Sequence, residues 1–107
     1  MLRTDAIFTA NTLHIMSWPA VEALWRGIGA LLSSGGITCV YGPFCYDGAY
    51  TSQSNREFDT MLKERDPESG IRDIAAIRPL AESYGLVLKS DHDLPANNRL
   101  LVFEKQS

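Results

Sequence analysis

Asn11 and His14, an amide and an imidazole three residues apart, stand directly behind the apolar run Asp5-Ala-Ile-Phe-Thr-Ala10. That run contains no turn residue and suits a parallel-sheet strand covered on both faces. Polar groups just past its carboxyl end fall where open α/β sheets bind ligands, so both side chains are candidate ligand contacts. The competing reading is structural, with Asn11 bridging its loop and His14 a buried, hydrogen-bonded packing residue. Tyr41-Gly42-Pro43-Phe44 closes a second strand beside the first. Its glycine allows close approach of a ligand to backbone; Phe44 reads as pocket lining and Tyr41 as packing. Tyr50 opens a polar segment reaching Asn55, a candidate flap over the same site or an ordinary surface loop.

Other reactive residue types give weaker patterns. Asp91-His92-Asp93 has the composition of a metal site, but successive strand residues point to opposite faces and do not readily share one ion. No metal is expected. Cys39 reads as core and Cys45 as a loop thiol without an activating base.

The elements that would position these residues follow from pattern. Val21, Leu24, Trp25, Ile28, Leu31 and Leu32 make a helical stripe, with Pro19 in the first turn and Ser17 or Trp18 as cap. The helix is expected to stop at Ser33-Ser34-Gly35-Gly36, on a left-handed glycine. Ile37 to Tyr41 is a buried strand, and strand, helix, strand predicts a parallel crossover. Asp47-Gly48 marks a turn, Ser54 with Glu57 suggests a capping box, and Phe58, Met61 and Leu62 give the following helix a short apolar face. A third helix from Asp73 carries Ile74, Ile77, Leu80, Ala81 and Tyr84, with Pro79 inside expected to kink or shorten it. Leu86 onward and Leu100 to Phe103 are strands joined by the turn Pro95-Ala-Asn-Asn98, too short for a crossover helix, hence antiparallel.

Composition narrows the function classes. The chain has 107 residues, 45% of them hydrophobic, enough for one modest core in a single domain. Ten basic and thirteen acidic residues leave a charge of -3 without a basic cluster, which disfavours nucleic acid as a partner. No apolar run has bilayer-spanning length, and the two cysteines have no CxxC spacing, so a soluble protein of the reducing cytoplasm is expected.

Element order and residues together resemble the carboxyl-terminal half of a class I S-adenosylmethionine-dependent methyltransferase, within a methyltransferase-like family of uncharacterised function. The resemblance is carried by ANTLHIMSW at Ala10 to Trp18, YGPF at Tyr41 to Phe44, Tyr50 to Asp59, Gly70-Ile-Arg-Asp73, and Pro95-Ala-Asn-Asn98 leading to Phe103. It implies a partial Rossmann-like α/β/α fold of parallel strands with an antiparallel final hairpin, the last strand inserting between its two predecessors. It further implies S-adenosylmethionine as cofactor, a small-molecule methyl acceptor, Asn11 and His14 as cofactor contacts, and Asn97 facing substrate. Sulfonium chemistry activates the methyl by itself, so alignment matters more than a dedicated base. The resemblance leaves out the family's first three strands, its glycine-rich loop and its ribose-binding acid. Gly35-Gly36 follows a helix and precedes a strand, the reverse of a nucleotide loop. The strand Asp5 to Ala10 would then be a bare edge, and homo-oligomerisation through it is expected.

Overall fold

The computed structural model describes residues 4–106. In order they form strand β1 (Thr4–Ala10), helix α1 (Trp18–Leu31), β2 (Leu32–Gly42), β3 (Phe44–Tyr46), β4 (Ala49–Tyr50), α2 (Gln53–Arg65), β5 (Arg72–Asp73), α3 (Ile74–Ser83), β6 (Leu86–Leu94) and β7 (Asn98–Lys105). Short 3₁₀ turns lie at Leu13–Ile15 and Pro95–Asn97. β1 and β2 are parallel, and β7 lies antiparallel between β2 and β6, giving the order β1-β2-β7-β6. This is a mixed α/β sheet of the expected connectivity.

Register decides which side chains meet. Thr38 opposes Phe103 and Val40 opposes Leu101, so these side chains share one face. That face carries the main core: Val40, Leu86, Leu101 and Phe103 pack with Val21, Trp25 and Ile28 of α1 and with Ile77 and Ala81 of α3. Trp25 meets Phe103 edge-on, with ring centroids 4.8 Å apart. The opposite face differs. Ala6 and Phe8 pair with Ile37 and Cys39, and Phe8 is 66% exposed and Ile37 39%. Of the expected three layers, the described residues supply the sheet and one helical layer. β1 stands at the sheet edge among the described residues, as the resemblance implied, but it is not covered on both faces as read: its Phe8 side is exposed.

Several local expectations change for identifiable reasons. α1 does not run to a glycine stop: Leu32 is already extended, and Ser33 to Gly36 belong to β2. Gly35, at φ +81°, takes the irregular step where the register jumps from Thr4 opposite Leu32 to Ala6 opposite Ile37. The α2 cap is Ser52, whose hydroxyl accepts from the Asn55 amide at 3.1 Å, so the cap lies two residues before Ser54, where the box was expected. α3 starts on Asp73 as read and continues past Pro79 to Ser83. A second sheet, β4-β3-β5, was not anticipated. Its strands of two and three residues are too short to show alternation. Cys45 is therefore no loop thiol but part of a second core with Leu62 and Ile71.

Candidate functional site

The carboxyl end of β1 positions the first two candidates. The Asn11 amide N–H donates to the Tyr41 carbonyl at 2.8 Å, extending the ladder by one rung. Its φ of 53° then turns the chain away, a left-handed conformation that asparagine tolerates better than most residues, and its side chain is exposed. Thr12 and the Leu13–Ile15 turn follow, with the Ile15 amide bonded to the Thr12 carbonyl at 3.2 Å. This turn buries His14 to 7% exposure and sets its ring 5.6 Å from that of Phe58 on α2, tilted by 59°. Gly42 at the end of β2 lies beneath, where an added Cβ would sit 3.8 Å from His14 Nδ1.

His14 is buried, as one reading had it, but not hydrogen-bonded. Neither ring nitrogen has a partner among the described residues. Burial pushes its pKa below the ordinary 6.5, so the ring is neutral near pH 7. The one fully enclosed side-chain nitrogen or oxygen without a partner, among the described residues, is Trp25 Nε1. The His14 nitrogens therefore keep an opening to solvent. A neutral imidazole with an unoccupied nitrogen at the carboxyl end of the sheet is a proton acceptor in waiting.

The remaining candidates are placed elsewhere. Phe44 is 2% exposed and packs inside the main core, so its ring is not turned towards a ligand. Tyr50 donates its hydroxyl to Asp59 and lines an open cleft of about 550 Å³ with Gly48, Ala49, Ser52, Gln53 and Arg56. The bond to Asp59 is the largest reason its pKa is pushed up to about 12. Asp59 itself is pushed up by burial, but hydrogen bonds from Tyr50, the Ile71 amide and Lys63 outweigh this and lower it overall. Asn97, at φ 59°, ties the β6–β7 hairpin to α2: its carbonyl accepts from Asn55 Nδ2 at 3.1 Å and its Nδ2 donates to Ser54 at 3.2 Å. The structure thus brings Asn11 and His14 to one strand end, and puts Phe44, Tyr50 and Asn97 in three other settings. Sequence reading missed Phe58 as the partner of His14, because it read Phe58 only as the apolar stripe of its own helix. Asp91 is bound by the Tyr46 hydroxyl at 2.6 Å and by Arg99 at 2.9 Å, and no group able to hold a metal ion occurs among the described residues.

A family model described as a protein of unknown function, DUF938, matches residues 2–105. The chain belongs to the DUF938 family. Among solved structures, this DUF938 chain is similar to an O-methyltransferase family 2 protein from Planctomyces limnophilus in complex with apigenin, at a TM-score of 0.84 and 18% identity over 94% of the chain and 30% of that protein. A putative O-methyltransferase from Nostoc punctiforme matches at 0.83 and 20% identity, over 98% of this chain and 33% of that one. Human N-acetylserotonin methyltransferase, solved with S-adenosylmethionine, matches at 0.83 and 15% identity, over 96% and 30%. The DUF938 chain thus spans about a third of the length of these proteins and corresponds to their carboxyl-terminal part. At such identities the likeness establishes a methyltransferase fold.

Gly35 and Gly36 lie near the amino end of β2, away from Asn11 and Gly42 at the carboxyl ends. Asp73, at the end of β5, accepts from the amides of Ala75 at 2.8 Å, Asp47 at 3.1 Å and Gly48 at 2.6 Å.

Proposed function

We propose that this chain forms the acceptor side of an S-adenosylmethionine-dependent methyltransferase acting on a hydroxyl group of a small molecule in the cytoplasm. The cofactor's nucleoside is then held by polypeptide beyond the residues described. The observation that carries this reading is the buried, neutral and unpaired imidazole of His14 at the carboxyl end of the sheet. A hydroxyl brought against that nitrogen passes its proton to the ring, and its oxygen gains the electron density a nucleophile needs. Asn11, exposed on the same strand end, offers an amide to orient the ligand. The fold shared with O-methyltransferases supports the reaction class. Calorimetric titration with apigenin, a polyphenol, tests the acceptor site. Saturable binding to the folded chain that weakens at least about tenfold in His14→Gln is expected, roughly the worth of one hydrogen bond to a buried partner. Lack of binding to the folded wild type counts against it.

A second reading has its own support. β1 is an open edge with Phe8 66% exposed, a template for pairing with another strand. On this reading the chain is a non-catalytic association domain and self-associates through β1.

A further inference from the structure

The segment Ser69 to Asp73, containing the Gly-Ile-Arg-Asp motif, bonds at each residue to a different part of the molecule. The Ser69 hydroxyl donates to the Leu62 and Asp66 carbonyls at 2.9 and 2.8 Å, closing the end of α2. The Gly70 amide donates to the His14 carbonyl at 2.9 Å. The Ile71 amide donates to the buried Asp59 carboxylate at 2.8 Å. The Arg72 guanidinium donates to the Leu13 carbonyl at 3.3 Å, the Met16 carbonyl, and the Glu68 carbonyl at 2.9 Å. Its Cζ lies 5.6 Å from the centroid of the Trp18 ring at the start of α1.

The His14 turn has little of its own to hold it. It is a 3₁₀ turn of three residues, with no side-chain cap on Thr12, and short turns of this kind are marginal alone. Carbonyls left over at its carboxyl end point out of the turn and require donors. Arg72 reaches the carbonyls on both sides of His14, and the Gly70 amide takes that of His14 itself. A guanidinium does this where an ammonium does not, because its rigid fork presents several donors at once.

We infer that Arg72, working with the Gly70 amide, is the positioning residue for His14, fixing the turn so that the imidazole stays buried against Phe58 with a nitrogen open. Gly70 is itself specified. Its φ of +152° is a glycine conformation, and a Cβ there would meet Asp59 Oδ1 and Lys63 Cε, each at 3.0 Å. The buried Asp59, bound to the next amide, therefore acts through the segment on the turn. The importance of this clamp to catalysis rests on the reading of His14 given above, but the clamp has its own readout.

The test follows the His14 ring of the isotopically labelled full chain by NMR across pH. In the wild type the ring is expected to titrate below 6.5, because burial disfavours its charged form, and its protons to carry a shift from the Phe58 ring. Arg72→Met is expected to raise the His14 pKa towards its ordinary value and to remove most of that ring shift. Arg72→Lys keeps the charge but not the fork, and is expected to fall between. Arg99→Met, which removes a guanidinium bonded to Asp91 and Asp93 instead, leaves both readouts unchanged. An unmoved His14 in folded Arg72→Met overturns the inference, as does an equal effect from Arg99→Met. If Arg72→Met does not fold, Arg72→Lys decides by the same criterion. Failure of apigenin to bind strikes the function of His14 and leaves this positional result standing.

Discussion

At the residue scale, the unpaired imidazole has a measurable cost. A folded-state pKa below the unfolded 6.5 means that the unfolded chain binds the proton first. The corresponding stability is fully present above about pH 6.5, and is lost as pH falls through the lower folded value. Denaturation midpoints compared at pH 7.5 and 5.5 are expected to fall in the wild type and to fall less in His14→Gln. Asp59 behaves the same way lower down: its depressed pKa contributes stability above the unfolded carboxylate value of 3.8 that is lost as pH falls through the folded one. Asp59→Asn weakens the contacts with Tyr50, Ile71 and Lys63 at a site only 3% exposed, and is expected to cost about 1–3 kcal/mol by chemical denaturation. Asn11 and His14 were legible as candidates because strand and helix signals bracket them. That His14 lacks a hydrogen-bond partner was not legible, since the groups around its ring, Phe58 and Gly42, are far away in sequence.

At the element scale, stability lies chiefly where α1 and α3 cover the sheet. Trp25 is 0% exposed and packed on Phe103, so Trp25→Ala is expected to cost about 3–5 kcal/mol. Trp25→Phe is expected to cost clearly less, because it also removes the unpartnered Nε1–H. Thermal unfolding of the two variants side by side checks this. The helices were readable because periodicity over three or four turns is a strong signal. The ends of α1 and α2 were not: Gly35 serves an irregular strand pairing, and Ser52, not Ser54, has its hydroxyl aimed at a helix amide. Both are set by geometry beyond the local pattern. The β3, β4 and β5 strands exist because the Asp47-Gly48 turn and the Asp73 carboxylate bring short extended pieces together, which no periodicity reveals.

At the scale of the whole molecule, among the described residues α1 and α3 cover one face of the sheet, while Phe8 and Ile37 are exposed on the other. The parallel β1–β2 pair and the β6–β7 hairpin were readable from turn lengths and strand composition, since the Pro95 to Asn97 turn forces an antiparallel hairpin and α1 spans a parallel pair, whereas the place of β7 between β2 and β6 came from the family resemblance. The open edge followed from the family resemblance, and β1 stands last in the sheet order among the described residues. Light scattering during size-exclusion chromatography is expected to find self-association that Phe8→Lys reduces, because a charge on an edge strand opposes pairing. The division of labour proposed for this molecule, acceptor side present and nucleoside cradle absent, is tested most directly by one NMR shift-mapping experiment with two ligands. Apigenin is predicted to move the signals of Asn11, His14 and Phe58, and S-adenosylhomocysteine to move none in the folded chain. Saturable shifts with S-adenosylhomocysteine, or none at His14 with apigenin, would contradict the account.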